Sequence, residues 1–541
     1  MGAWRTRILR PGHGAAHCNL YRLADPRRDR RSPRRDCRSP SPSRTCRSDA
    51  GRSASPTIGS TALPARRLIT FLSLPTLVPT QQGADMTTTI YDAERRDISI
   101  AVGGDAMITR RMRAFQEPRF LKLVDLLRAA DVSLVNLEML FHDYESTWQW
   151  SGNTYTRSDP RNLDELKWMG INAVTTANNH SFDFSEGGFL TTLEHCREAD
   201  LLHAGGGRNL DEARSPAYVD SARGRVAVMS ATSTFSDTSR AGPGRPDFAG
   251  RPGVNALRHD IAHHVQQDVF DALRKANLEL GYEEEHAFME HFGFRGDSKE
   301  TDVDNEVEFL DHKFILDETF AVRTALNEDD RLGIGNWIRG AQTQSDWQVY
   351  GVHCHESGPD GDFHGHSRLS PPHFLVDFAR WTIDQGCAAF VGHGPHFLRG
   401  IEIYKNRPIF YSLGNFIFQN ESVLWLPHES YRRFGLDFNS TPGDYLDTRS
   451  GSGTRAFAAD PVFWQSVVAV CNYAGGDLKE VILHPIDMGF GRPIPQRGRP
   501  VLAEEPIARE TLRWLQDVSR PFGTEISIEE KDGDLVGVIR V

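Results

Sequence analysis

From Asp97 onward short apolar runs alternate with polar turns and amphipathic stretches, the pattern of strands and helices taken in turn. "ISIAV" (Ile98–Val102) reads as a buried strand ending at Gly103, Gly104 and Asp105. A helix follows from about Phe120 to Ala130, with Leu121, Val124 and Leu127 on one face, and "VSLV" (Val132–Val135) is the next strand, ending at Asn136, Leu137 and Glu138. A helix from about Leu163 to Met169 stops at Gly170, a natural C-terminal breaker. "NAVTTA" then leads into Asn178, Asn179 and His180, and Ser185 is placed to cap a helix whose Leu190, Leu193 and Cys196 face inward. "LLHAGGGRNL" reads as a strand and a glycine turn.

Residues 235–345 break the rhythm with Gly/Pro-rich loops and an acidic helical insertion, "LGYEEEHAFMEHF", expected to shape or cover a site. Regularity returns with the strand "WQVYGV" (Trp347–Val352), a proline-initiated helix from Pro371 to Gln385, and the apolar run that opens "AAFVGHGPHFLRG". "IEIY" and "PIFYSL" form a hairpin across Lys405–Arg407 that ends at Gly414 and Asn415. Strands in "PVFWQSVVAVC" and "LKEVILHPI", a helix near Glu504–Val518 and a hairpin turning at Asp532-Gly533 complete the chain. Alternating strands and helices predict an α/β domain. The expected division is a 1–85 extension, a main domain over 97–490 with an insertion at about 235–345, and a helix plus hairpin over 491–541 packed on it.

Charge separates the first segment from the rest. Residues 1–85 hold 16 arginines, no lysine and five acidic residues, a net +11, which leaves −22 on the remaining 456 of the chain's 541 residues. That acidic body excludes a nucleic-acid-binding surface, which needs a basic footprint. The Arg/Ser/Pro-rich segment has no hydrophobic periodicity and is expected to be disordered. Its composition would also suit a basic nucleic-acid tail or a targeting peptide, but it reads as an upstream extension, with Met86 as the working start. No apolar run approaches the roughly 20 residues of a transmembrane helix. Cys196, Cys354, Cys387 and Cys471 are scattered without a CxxC pair, so reduced thiols and a cytoplasmic setting are expected.

Strand after strand ends on a residue able to bind a metal or move a proton: Asp105, Glu138, Asn179 with His180, His353 with His355, and His393 with His396. Sites in α/β sheets form beyond the carboxyl ends of strands, where loops converge. Seven of the 21 histidines (His353, His355, His364, His366, His373, His393 and His396) fall within 44 residues, a concentration that points to a demand for imidazole. His364, His366 and His373 read as loop residues, whereas His353 and His355 are each candidates for one ligand position. Carboxylates, an amide oxygen and imidazoles without clustered thiolates suit Mn²⁺, Fe or Zn²⁺. No GxSxG elbow is present, and no cysteine sits in a nucleophile setting.

"GGDAM", "NLE", "ANNHSFDF", the His353 region, "VGHGPH" and "IEIYKNRPIFYSLGNFIF" occur in the order seen in the CapA/PgsA-like family of capsule and poly-γ-glutamate biosynthesis proteins, which the chain resembles over roughly 97–420. That family lies in the calcineurin-like metallophosphatase superfamily. The resemblance implies two packed β-sheets flanked by helices, with a metal site at the loop edge. It implies Asp105 as a first-metal ligand, Glu138 as the bridging carboxylate and Asn179 as a ligand through its amide oxygen, with His353, His393 and His396 completing the shell. It also implies His180 as proton donor to the leaving group, steered by Asp183. Two positions depart from the superfamily pattern: Met107 stands where a histidine is usual, and two residues rather than one separate His393 from His396. One or two divalent ions are therefore expected.

The function expected is that of a soluble metal-dependent hydrolase, using a metal-bound hydroxide on a phosphoester or amide in a small-molecule or oligomeric substrate. The resemblance carries a second reading, a capsule or poly-γ-glutamate biosynthesis component acting on γ-linked amide chains. A metal-stabilised binding protein without turnover is the third.

Overall fold

In the computed structural model the described residues are 95–150, 154–294, 304–358 and 369–541; the arginine-rich segment expected to be disordered lies outside them. Two β-sheets pack face to face. The larger has ten strands, in the order Ser527–Lys531, Asp534–Arg540, Asp477–Asp487, Gln465–Ala474, Ile98–Met107, Val132–Leu137, Ala173–Thr175 and Leu202–Ala204. Asn415–Phe418 also pairs with Ile98–Met107, and Val501–Leu502 with Asp477–Asp487. The second sheet has six strands, in the order Ile401–Tyr404, Arg407–Phe410, Ala389–His393, Trp347–His353, Gly224–Thr232 and Ala217–Ser221.

Strand alternation builds the layers. Ile98, Ile100 and Val102 of one sheet and Val226, Val228 and Val349 of the other meet in the inter-sheet core. Ala101 and Val135 face outward and pack under Phe120, Leu123 and Leu127 of the helix Pro118–Ala129. On the far side Ala227, Met229 and Tyr350 pack under the helices Glu328–Gln342 and His373–Asp384 through Ile334, Ile338, Phe374 and Phe378. A strand covered on both faces is a continuous apolar run, which is why "ISIAV" and "WQVYGV" read so plainly. The result is the helix-flanked two-sheet fold expected.

Four local expectations change. The first strand does not stop at Gly103 but runs to Met107, because its end pairs in parallel with Asn415–Phe418, itself a strand rather than the tail of a hairpin. Gly104 permits that approach: a Cβ there would lie 1.9 Å from the Gly414 carbonyl oxygen. Ser185 does not cap the Ser185–Glu198 helix; Phe184 is the N-cap, no side chain closes it, and Ser185 sits at φ 55°. The irregular 235–345 stretch holds a four-stranded sheet (Glu306–Phe309, His312–Leu316, His259–Val265, Ala321–Leu326) with two helices, Gln267–Glu279 and Tyr282–His291. That unit has a small core of its own around Val265, Phe270 and Val307. The hairpin turns at Lys405-Asn406 and Asp532-Gly533 do form, with positive φ at all four residues. Among the described residues no helix is long and apolar enough to cross a membrane.

Candidate metal centre

The parallel strands of both sheets point their carboxyl ends to one edge. In the six-stranded sheet His353 is in register with His393 on one side and Thr232 on the other. In the larger sheet Asp105 is in register with Asn136 and with Asn415. Sheet pairing thus aligns Asp105 with Asn415, 310 positions away in the chain.

His396 arrives differently. The strand Ala389–His393 ends on Gly394 at φ 123° and Pro395, and His396 follows at φ 66°. A Cβ on Gly394 would lie 2.8 Å from the Cys354 backbone, so only glycine fits that turn. A left-handed histidine is uncommon and costs about 1 kcal/mol or more, a strain tolerated here where the ring is turned back into the cluster. Its Nδ1 lies 3.4 Å from Asp105 Oδ2 and 3.7 Å from Glu138 Oε2.

Asp105, Glu138, His353, His393 and His396 are all buried. His353 Nδ1 and His393 Nδ1 each lie 3.6 Å from Asp105 Oδ1, and His353 Nε2 lies 3.6 Å from Glu138 Oε1. Donor atoms about 3.4 Å apart are what a four-coordinate ion with bonds of about 2.1 Å imposes. Three overlapping ligand groups result: Asp105 with His353 and His393; Glu138 with His353 and His355; and Asp105 with Glu138 and His396.

The electrostatics fit a cation. Burial raises the pKa of Asp105, yet hydrogen bonds from His353 and His396 reverse this and hold the carboxyl well below its usual range. Glu138 is pushed well above its usual value by burial and then by the charge of Asp105 beside it. Burial lowers His353 and His355 and takes His393 down to about 3, which keeps these rings neutral, the form that ligates metals. Both Glu138 oxygens, Asn179 Oδ1, His353 Nε2 and His355 Nε2 are buried without a hydrogen-bond partner. Folded proteins rarely leave such groups unpaired, and bound divalent ions would satisfy those of Glu138, His353 and His355, which group within ligating distance of one another.

Around this cluster stand residues that hold its members. Asn136 Nδ2 donates to Asp105 Oδ1 at 2.8 Å and lies 3.2 Å from His353 Nδ1. Gly394 N donates to Asp105 Oδ2 at 3.1 Å, and Asn415 Oδ1 lies 3.0 Å from His396 Nδ1. His180 Nδ1 donates to Asp183 Oδ2 at 2.7 Å, an oxygen that also accepts from Thr156 N at 2.7 Å; His180 Nε2 then faces Glu138 Oε1 at 4.0 Å. All of the expected residues lie at this edge, and Asn179, His180, His396 and Met107 line an open cleft of about 400 Å³. His373 lies exposed at the start of its helix and belongs to none of the three ligand groups, while His364 and His366 fall outside the described residues. The sequence reading missed Asn136, although it sits in "NLE" at a strand end; Asn415, which the sequence left between a supporting and a purely structural role, lies against His396. The sequence left His353 and His355 as alternatives where both rings reach the cluster.

Residues 99–420, more than half of the chain, match the family model described as bacterial capsule synthesis protein PGA_cap. The chain belongs to this family. It is part of the CapA family of the metallophosphatase-like superfamily, and the matched span holds every member of the cluster. The chain is also 35% identical over 449 residues, 81% of its length, to uncharacterized protein y4sH of Sinorhizobium fredii, covering 92% of that protein. It is 21% identical over 344 residues, 62% of its length, to capsule biosynthesis protein CapA of Bacillus anthracis, covering 64% of that protein. Among solved structures, a putative 5'-nucleotidase from Staphylococcus aureus aligns at 9% identity over 78% of this chain and 58% of its own, with a TM-score of 0.31.

Proposed function

We propose that this PGA_cap protein is a metal-dependent hydrolase of phosphoesters or amides, with its centre at the joint edge of the two sheets. The observation that carries the reading is the cluster of two carboxylates and four imidazoles in which both Glu138 oxygens and the Nε2 atoms of His353 and His355 have no hydrogen-bond partner. Asp105, Glu138, Asn179, His353, His393 and His396 would hold one or two divalent ions, with His355 within reach of the Glu138 side. Such ions supply Lewis acidity and lower the pKa of a coordinated water. The donor set of oxygen and imidazole supports Mn²⁺, Fe or Zn²⁺. Met107 adds only a thioether, a poor ligand for these ions.

His180 is the proton donor of this reading. Asp183, fixed by Thr156, accepts the Nδ1 proton, fixes the ring plane and stabilises the imidazolium. The opposite nitrogen is left facing the cleft, within reach of a leaving group bound over Glu138. A second reading draws support from the relatives named for capsule and PGA biosynthesis: a component acting on γ-linked amide chains. The described cysteines Cys196, Cys354, Cys387 and Cys471 are free and buried, which supports a cytoplasmic setting.

Metal analysis of the purified full chain, followed by a panel of phosphoesters and γ-glutamyl amides, tests the proposal. Turnover that requires bound metal is the expected result; amide-only turnover moves the protein to the second reading. Bound metal with no turnover on either panel leaves a binding protein and defeats the hydrolase. His180→Ala is expected to cut turnover by about 10²-fold or more with metal content unchanged; loss of metal from a folded His180→Ala protein would remove His180 from the donor role.

A further inference from the structure

One wall of the cleft comes from beyond the matched span of residues 99–420. Arg449, Phe457 and Phe463 lie on the segment that precedes the strand Gln465–Ala474, and all three face the same cleft as His180 and His396. Arg449 lies in the last turn of the helix Pro442–Ser450, four residues after the buried Tyr445 and so on the same face. Tyr445 Oη lies 3.2 Å from Thr154 Oγ1, and Arg449 Nη1 donates to that same hydroxyl. The Arg449 guanidinium carbon stands 5.4 Å from the centre of the Phe457 ring, which also packs against His396, ring centre to ring centre 5.5 Å, and against Phe418 and Phe463.

The guanidinium is therefore held in place by a hydroxyl and a ring, one aromatic width from a candidate metal ligand. Among the described residues no carboxylate pairs with it. A guanidinium has five N–H donors in a planar fork, and one is committed to Thr154. The others remain for an oxyanion arriving in the cleft, where the fork matches a carboxylate or phosphate. Thr154 also precedes Thr156, which anchors Asp183 and through it His180, so one short segment positions both the arginine and the proposed proton donor.

We propose that Arg449 is the anion clamp of this cleft: it seats a second, non-reacting acidic group of the substrate while the scissile centre lies over the Asp105–Glu138 cluster. This rests on the hydrolase reading and narrows it to substrates carrying an acidic group besides the one that reacts.

The test uses non-hydrolysable probes on the Mn²⁺-loaded full chain: alkylphosphonates ending in a carboxylate two to five carbons away, and the matching terminal amides. Calorimetry on the wild type is expected to show at least one carboxylate probe binding about tenfold tighter than its amide. Arg449→Gln loses that preference while keeping metal content and amide-probe affinity; Arg449→Lys, which keeps the charge without the fork, recovers part of it. Equal affinity for every carboxylate and amide pair, or a preference that survives Arg449→Gln, overturns the clamp and leaves the hydrolase reading standing. Failure of metal-loaded wild type to bind any phosphonate counts against the phosphoester reading itself and takes the clamp with it.

Discussion

Both carboxylate oxygens of Glu138 are buried without a donor, and Asp105 lies close enough to repel them. Without a cation that arrangement costs stability wherever the unfolded glutamate would ionise. The folded pKa lies above the usual 4.5, so the unfolded chain releases its proton first and stability falls as pH rises past 4.5. Glu138→Gln removes this cost. In chelator-treated protein at neutral pH the variant is expected to unfold at a higher temperature than wild type, by about 1–3 kcal/mol of stability. The gap should close below pH 4.5, and the variant should retain less metal. Paired thermal melts with and without chelator, with metal content by mass spectrometry, check this. A metal-free Glu138→Gln protein less stable than wild type at pH 7 would mean that the carboxylate is satisfied by protein alone.

At the scale of elements, the site depends on how the first strand ends. Its last residues pair with Asn415–Phe418 only because Gly104 brings two backbones together, and Asp105 N donates to the Gly414 carbonyl at 2.9 Å as a result. Gly104→Ala would push a methyl group into that carbonyl. A loss of at least ~2 kcal/mol in denaturant unfolding is expected, together with lower metal content, since Asp105 and Asn415 would lose their register. Unchanged stability in Gly104→Ala would show that the two strands separate without penalty. Here the sequence pattern was incomplete for a physical reason. Apolar periodicity marks strands buried on their faces, whereas the Asn415 strand is four residues long and follows a glycine turn. Ser185 illustrates the same limit: its type suits a cap, yet its φ of 55° is set by the turn that brings His180 round to Asp183.

Over the whole molecule, histidines buried in neutral form set the response to acid. Burial lowers His142, His203 and His484 from about 6.5 to about 4, and they sit in three separate parts of the fold. In that window the unfolded chain binds protons that the folded one does not, so stability rises with pH from 4 to 6.5 and is lost as pH falls. Denaturant midpoints of chelator-treated protein are expected to drop between pH 7 and pH 4.5; a flat profile would place these rings in contact with water. Periodicity alone determined the alternation of strands and helices, because each strand covered on both faces must be apolar along its length. The order of ligand-bearing strand ends was legible for the same reason: a polar residue straight after such a run stands out. What only the tertiary structure decided is which of those ends meet, because their proximity is set by sheet register and by the left-handed turn at His396 rather than by distance along the chain. It also decided the wall carrying Arg449, whose place in the cleft depends on packing between segments nearly 300 residues apart.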